Sequence, residues 1–162
     1  MSKAWFNHVS VYAKDIYAST QFYVDLFDAM PLPTPNFGFH GQWLQLGDLQ
    51  LHFYGVERPE TQAPKYGHFA LGVENFEEVY RKAVEMGIED SAMWGFPLNG
   101  LLGGQVQFYV RDPSGNLIEI NCADSSKLSP DIRDQINMLE SRVQQDEGNK
   151  RARLGLEERV SA

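Results

Sequence analysis

An internal repeat is the feature that most constrains this chain. The stretches "FNHVSVYAKDIYASTQFYVDLFDAM", from Phe6, and "YGHFALGVENFEEVYRKAVEMGIED", from Tyr66, follow one plan. Each opens on a short alternating strand with a histidine near its start, passes a capping residue and enters an amphipathic helix. Asp15 caps the first helix. Asn75 with Glu78 forms a capping-box pattern before the second. Phe22, Tyr23, Leu26 and Phe27 recur at helical spacing in the first, and Val79, Tyr80, Ala83 and Val84 in the second. Three strand candidates follow each helix: a weak one near Met30, "GQWLQL" and "LQLHFY" in the first half, and a weak one over 88–93, "QVQFYV" and "NLIEINC" in the second. Each half is therefore βαβββ, and a Pro- and charge-rich segment over 55–65 joins them. A repeat of roughly 60 residues cannot close its own core, so the two modules are expected to pack as one α+β domain. That domain spans 1–124, with modules at about 5–55 and 66–123.

Strand parity sorts the faces. "RDPSGN" reads as a three-residue hairpin loop: Asp112 opens a type I turn, Pro113 takes its second position and Gly115 supplies positive φ. This pairs Tyr109 with Glu119. One face then carries Gln105, Gln107, Tyr109, Leu117, Glu119 and Asn121, and is polar. The other carries Val106, Phe108, Val110, Ile118, Ile120 and Cys122, and belongs under the helices. In the first half a Gly47-Asp48 turn pairs Trp43 with His52. Trp43, Gln45, Gln50, His52 and Tyr54 share the wet face, and Leu44, Leu46, Leu49, Leu51 and Phe53 the buried one.

Four residues now stand at repeat-related places: His8 and His68 on the first strand of each module, His52 and Glu119 on the last. Three imidazoles and one carboxylate make a good divalent-metal donor set, suited to Fe, Zn, Ni or Cu. Glu119 lies between isoleucines on a central strand, where an unpartnered charge is costly. A metal, Arg111 or Lys65 could answer it. Tyr109 is a candidate proton donor. Trp43, Tyr54, Trp94, Phe96 and Asn121 are candidate walls of a substrate pocket. The loop "WGFPLNGLLGG", 94–104, reads either as a lid or as a packed connection.

The paired modules, the strand-borne histidines and "FYVRDPSGNLIEI" resemble the vicinal oxygen chelate superfamily, over roughly residues 6–122. That superfamily includes glyoxalase I, extradiol dioxygenases, fosfomycin-resistance enzymes and metal-free bleomycin-resistance proteins. The resemblance implies a partly closed, cupped mixed sheet around a metal site, with ligands at His8, His52, His68 and Glu119. It implies a divalent ion, with Fe(II) favoured and Ni, Zn or Mn possible, and a small-molecule substrate with two adjacent oxygens. In extradiol dioxygenases the equivalents of His8, His68 and Glu119 hold Fe(II), with an acid–base histidine near the His52 place. In glyoxalase I the residue at the His52 place is itself a ligand. The pattern Tyr-x-x-Asp-Pro-x-Gly-x-x-x-Glu, Tyr109 to Glu119, matches the end of the extradiol signature. The histidine expected several residues earlier is absent from "LNGLLGGQVQ". The leading expectation is dioxygenase-like chemistry with His52 and Tyr109 as proton-transfer or positioning groups. The alternatives are a glyoxalase I-like lyase or isomerase with His52 as fourth ligand, and a metal-free protein that sequesters a ligand. In superfamily members the two modules either close on each other or exchange with a second chain, and a homodimer is expected here.

The formal net charge of −8 argues against a nucleic-acid or anionic-membrane partner. No segment approaches the roughly 18 apolar residues of a membrane span, and "MSKAWFNHVSVY" has no apolar leader, so a cytoplasmic protein is expected. Cys122, the one cysteine, reads as a small buried hydrophobe. Beyond 124 the composition changes. Ser129 and Pro130 make an N-cap and N1 pair. Ile132, Ile136, Leu139 and Val143 form a stripe, so 125–162 is expected to be a helical extension that packs on the domain or on a second subunit.

Overall fold

The computed structural model describes residues 6–55 and 65–152. Two compact units make up that chain. One holds the described residues up to Phe69 together with Arg111–Leu117; the other holds Ala70–Val110 and the described residues from Ile118 onward.

In the first unit, α1 (Ile16–Phe27) accompanies a sheet of β1 (His8–Tyr12), β2 (Met30–Leu32), β3 (His40–Leu46) and β4 (Leu49–Gly55), in the order β1-β4-β3-β2. β1 runs parallel to β4, and the other pairs are antiparallel. The expected register holds: Trp43 lies opposite His52. Leu44, Leu51 and Phe53 are buried with Phe22, Tyr23 and Leu26 of α1, while Leu49, at the hairpin tip, is exposed. The Asp15 carboxylate accepts the Ala18 amide and starts the helix as expected. The "RDPSGN" turn also belongs to this unit. Gly115 takes φ 86°, and Asp112 and Asn116 close the hairpin. Ser114 Oγ accepts the Lys14 amide, and the Asn116 side chain donates to the Tyr12 carbonyl.

The second sheet has five strands, in the order β5-β8-β7-β6-β9: β5 (His68–Gly72), β6 (Leu98–Gly100), β7 (Val106–Arg111), β8 (Leu117–Cys122) and β9 (Ile136–Met138). Apart from β9 the order repeats that of the first sheet, strand for strand. Ala13 N donates to Tyr54 O and Val73 N to Asn121 O, both at 3.1 Å. These bonds stand at equivalent places and fix His8 with His68, and His52 with Glu119, as structural counterparts. Phe108 packs edge-on against Phe76 and Tyr80 of α2 (Phe76–Glu85).

Four expectations change. The weak strand over 88–93 is only a bridge, Glu89 to Val110; the strand in that place is "LNG" at β6, inside the glycine-rich loop. The capping box at Asn75 does not form, because its backbone is not extended and its amide donates to Glu78 instead. Cys122 is half-buried and points its thiol at the Asp124 carbonyl. The stripe after Pro130 is not one helix. It breaks into α3 (Pro130–Arg133), β9 and α4 (Leu139–Arg142), with Val143 exposed. Strand pairing wins there because Gly100 makes room: a Cβ on it would strike Met138 and Ile136 of β9. The last stretch of the extension, from 153, lies outside the described residues.

Candidate functional site

Two sets of predicted residues are built locally. On the four-stranded sheet, β1/β4 pairing puts His8 opposite Gln50 and Ser10 opposite His52. The two histidines are thus diagonal neighbours on one face. Their rings stack at 4.3 Å with 15° between planes. Trp43 stacks on the other side of His52 at 4.3 Å and 8°. Phe37 continues the row from Trp43, with Phe39 stacked on Phe37. Burial, and then the neighbouring charge of His8, lower the proton affinity of His52 below its usual value, so its ring favours the neutral form.

Each predicted histidine has one ring nitrogen against an oxygen. His8 Nδ1 meets Asn7 Oδ1 at 2.8 Å, His52 Nε2 meets Gln50 Oε1 at 2.8 Å, and His68 Nδ1 donates to the Tyr66 carbonyl at 2.9 Å. A nitrogen that donates to oxygen leaves the lone pair on the other nitrogen, which is the tautomer of a metal ligand. The donor chemistry therefore fits a divalent ion. The stack limits how the imidazoles can share one. A lone pair lies in its ring plane, and the planes of two stacked rings 15° from parallel, with centroids 4.3 Å apart, do not meet near either ring. In this arrangement His8 and His52 cannot both direct a lone pair at the same ion.

On the five-stranded sheet, Glu119 is 7% exposed. The Tyr109 hydroxyl donates to it and accepts from Gln107 Nε2 (2.9 Å) and Trp94 Nε1 (3.3 Å). One donation and two acceptances use the full capacity of a phenol oxygen. Burial, and then the bond to Glu119, push the Tyr109 phenol well above its usual range. Tyr109 keeps its proton and holds the Glu119 carboxylate in place.

Arg111 turns to the Gly115 and Lys65 carbonyls. Among the pocket candidates, Trp43 lies on His52, Tyr54 lies near Tyr12, Trp94 bonds Tyr109, Phe96 lies under Arg142, and Asn121 is buried beyond Glu119. Among the described residues no group of three or more His, Cys, Asp or Glu is gathered to hold a metal. A cavity of about 770 Å³ beside the start of α1, lined by Tyr12, Asp15, Tyr17 and His40, contains none of the predicted site residues. Sequence reading missed Gln107 as a partner of Tyr109 and passed over Asn99, Asn137 and Arg142. Parity would have found Gln107, because it alternates with Tyr109. The other three become neighbours only through the unforeseen β6–β9 pairing.

Residues 5–120 match the family model described as the Glyoxalase/Bleomycin resistance protein/Dioxygenase superfamily. The chain is 31% identical over 132 residues to an Arabidopsis thaliana protein named Glyoxylase I 4, covering 76% of this chain and 74% of that one. A putative glyoxalase family protein from Bacillus anthracis superposes with TM-score 0.59 at 23% identity, covering 75% of this chain and 96% of the other. The fosfomycin resistance protein FosX from Listeria monocytogenes, complexed with Mn(II) and sulfate, gives 0.57 at 13% identity, with 78% and 98% covered.

Proposed function

Since the chain belongs to the Glyoxalase/Bleomycin resistance protein/Dioxygenase superfamily, we propose that it is a metal-dependent enzyme acting on a small molecule with two adjacent oxygens. The near-parallel stack of His8 and His52 carries the assignment of roles. His8, His68 and Glu119 are the metal ligands, and His52 stands beside them as a base. A divalent metal held there would act as a Lewis acid toward both substrate oxygens. Two imidazoles and a carboxylate suit Fe(II) first, and Ni, Zn or Mn as well. His52, stacked between Trp43 and His8 and held by Gln50, is oriented, and takes a proton from the substrate at its bare Nδ1. Tyr109 orients Glu119. The protein acts as a homodimer, in keeping with a superfamily whose members are commonly oligomeric.

The 31% identical relative named Glyoxylase I 4 supports a lyase or isomerase, whereas an acid–base histidine beside three ligands is equally the pattern of the extradiol enzymes. The Tyr109-to-Glu119 spacing favours a second reading, an extradiol dioxygenase. The deciding measurement is elemental analysis of protein purified without chelator or affinity metal. About one equivalent of a transition metal per chain is expected, and a content below about a tenth, unrestored by Fe, Mn, Ni or Zn, overturns both readings in favour of a ligand-sequestering protein. Turnover of methylglyoxal with glutathione then supports the lyase, and oxygen uptake with catechols the dioxygenase.

A further inference from the structure

The inward face of the second sheet carries a continuous polar row. Asn137 of β9 lies opposite Asn99 of β6, and Asn99 lies opposite Gln107 of β7. Gln107 bonds Tyr109, and Tyr109 bonds Glu119. Asn99 is 1% exposed and Gln107 3%, and Asn137 is half-buried. Buried polar atoms nearly always find partners, yet the Asn99 and Asn137 carbonyl oxygens have none, and Asn121 on the same face has the same defect.

Arg142 stands at the end of this row. Its guanidinium lies over the Phe96 ring at 5.0 Å and the Trp94 ring at 5.9 Å, and Trp94 donates to Tyr109. It reaches the Asn137 backbone carbonyl at 3.5 Å. Its Nε is buried with no partner. In a chain of net charge −8, no ion pair joins Arg142 to a carboxylate among the described residues. Aromatic faces stabilise a guanidinium but leave its in-plane donors to be used. The site thus offers one unpartnered guanidinium Nε and two unpartnered amide oxygens.

We propose that the C-terminal extension completes a subsite for a small hydroxylated anion. Arg142 holds the anionic group, and the Asn99 and Asn137 amide oxygens accept hydrogen bonds from its hydroxyls. The subsite itself rests on this geometry alone; that the anion is the substrate's rests on the reading of Glu119 as a metal ligand. The extension lies beyond the matched family region, so it is the added segment that brings Arg142 and Asn137 to Asn99 of the second module.

The test titrates the full-length protein, as purified, with 3-hydroxybutyrate, butyrate and 1,3-butanediol, followed calorimetrically and by tryptophan fluorescence. The first probe has charge and hydroxyl, the second lacks the hydroxyl and the third lacks the charge. 3-Hydroxybutyrate is expected to bind in the millimolar range, and each other probe at least about tenfold more weakly. Arg142→Gln is expected to weaken 3-hydroxybutyrate at least about tenfold, with Arg142→Lys intermediate. Circular dichroism confirms that both variants fold. Equal binding by Arg142→Gln and the parent, equal binding of all three probes, or no binding below about 20 mM overturns the proposal. Metal content separates the two readings. If Arg142-dependent binding persists in protein that takes up no metal, only the metal reading falls. If metal is bound and Arg142→Gln binds the probe unchanged, only the subsite falls.

Discussion

Asp112 and His52 show how one side chain governs a region. Asp112 is 4% exposed. Its carboxylate accepts the Ser114 and Asn116 amides, the Asn116 side chain and the Tyr23 hydroxyl. Removing it strands several buried donors, which costs far more than one net hydrogen bond. Asp112→Ala should lose about 3 kcal/mol or more, read as a lower urea midpoint at unchanged slope. A loss under about 1 kcal/mol would mean water replaces the carboxylate. For His52 the stack makes a different prediction. His52→Gln should keep its metal and lose about a hundredfold or more in kcat, while His68→Ala should lose the metal. Metal lost from His52→Gln would return His52 to the ligand set. At this scale the sequence was informative about faces. Alternation together with the two turns put His52 opposite Trp43 and Tyr109 beside Glu119. It was silent on ring orientation, which depends on which rotamers pack between Trp43 and His8.

Among the elements, the long alternating strands and both main helices were readable because local pattern and tertiary burial agree. β6 was not: "LNG" has no alternation, and its place is set by β7 on one side and β9 on the other. β9 was misread because Ile136, Leu139 and Val143 also satisfy helical spacing, and the competing strand pairing depends on Gly100, distant in sequence. The extension is further tied down at α2. Glu77 accepts the Ser129 amide and hydroxyl and pairs with Arg81, which also pairs with Asp131. The Ser129 amide first, then Arg81 and the Ser129 hydroxyl, hold the Glu77 carboxyl below its usual 4.5. A depressed folded value means the carboxylate favours docking. Its contribution is complete well above pH 4.5 and disappears as pH falls through the lowered value. Hydrogen exchange at the Ile132, Arg133 and Asp134 amides should therefore speed up over that acid range, with α1 amides unaffected. Glu77→Gln should show fast exchange there at neutral pH and little further change on acidification. Slow exchange in that variant would show that burial of Ile132 holds the extension without the carboxylate.

For the whole molecule the question is how two modules of one plan would share the proposed metal. Each module contributes its pair at equivalent places, His8 with His52 and His68 with Glu119, and each pair lies on neighbouring strands of its own sheet. A module cannot supply His8, His68 and Glu119 by itself. In a homodimer with exchanged modules, His8 of one chain serves the His68 and Glu119 of the other, and two-fold symmetry makes two such sites. That arrangement has a consequence for mixtures. His8→Ala and Glu119→Ala should each bind no metal alone. Mixed one to one under conditions that let subunits exchange, about half the dimers combine the two variants. Each mixed dimer has one site that lacks both residues and one that keeps all three ligands. Metal content should then recover to roughly a quarter of the parent's, and activity with it. A site made of one chain's own residues gives no recovery at any mixing ratio, because every chain lacks a ligand. Elemental analysis of the mixture, against each variant alone, therefore distinguishes exchanged modules from modules that serve their own chain.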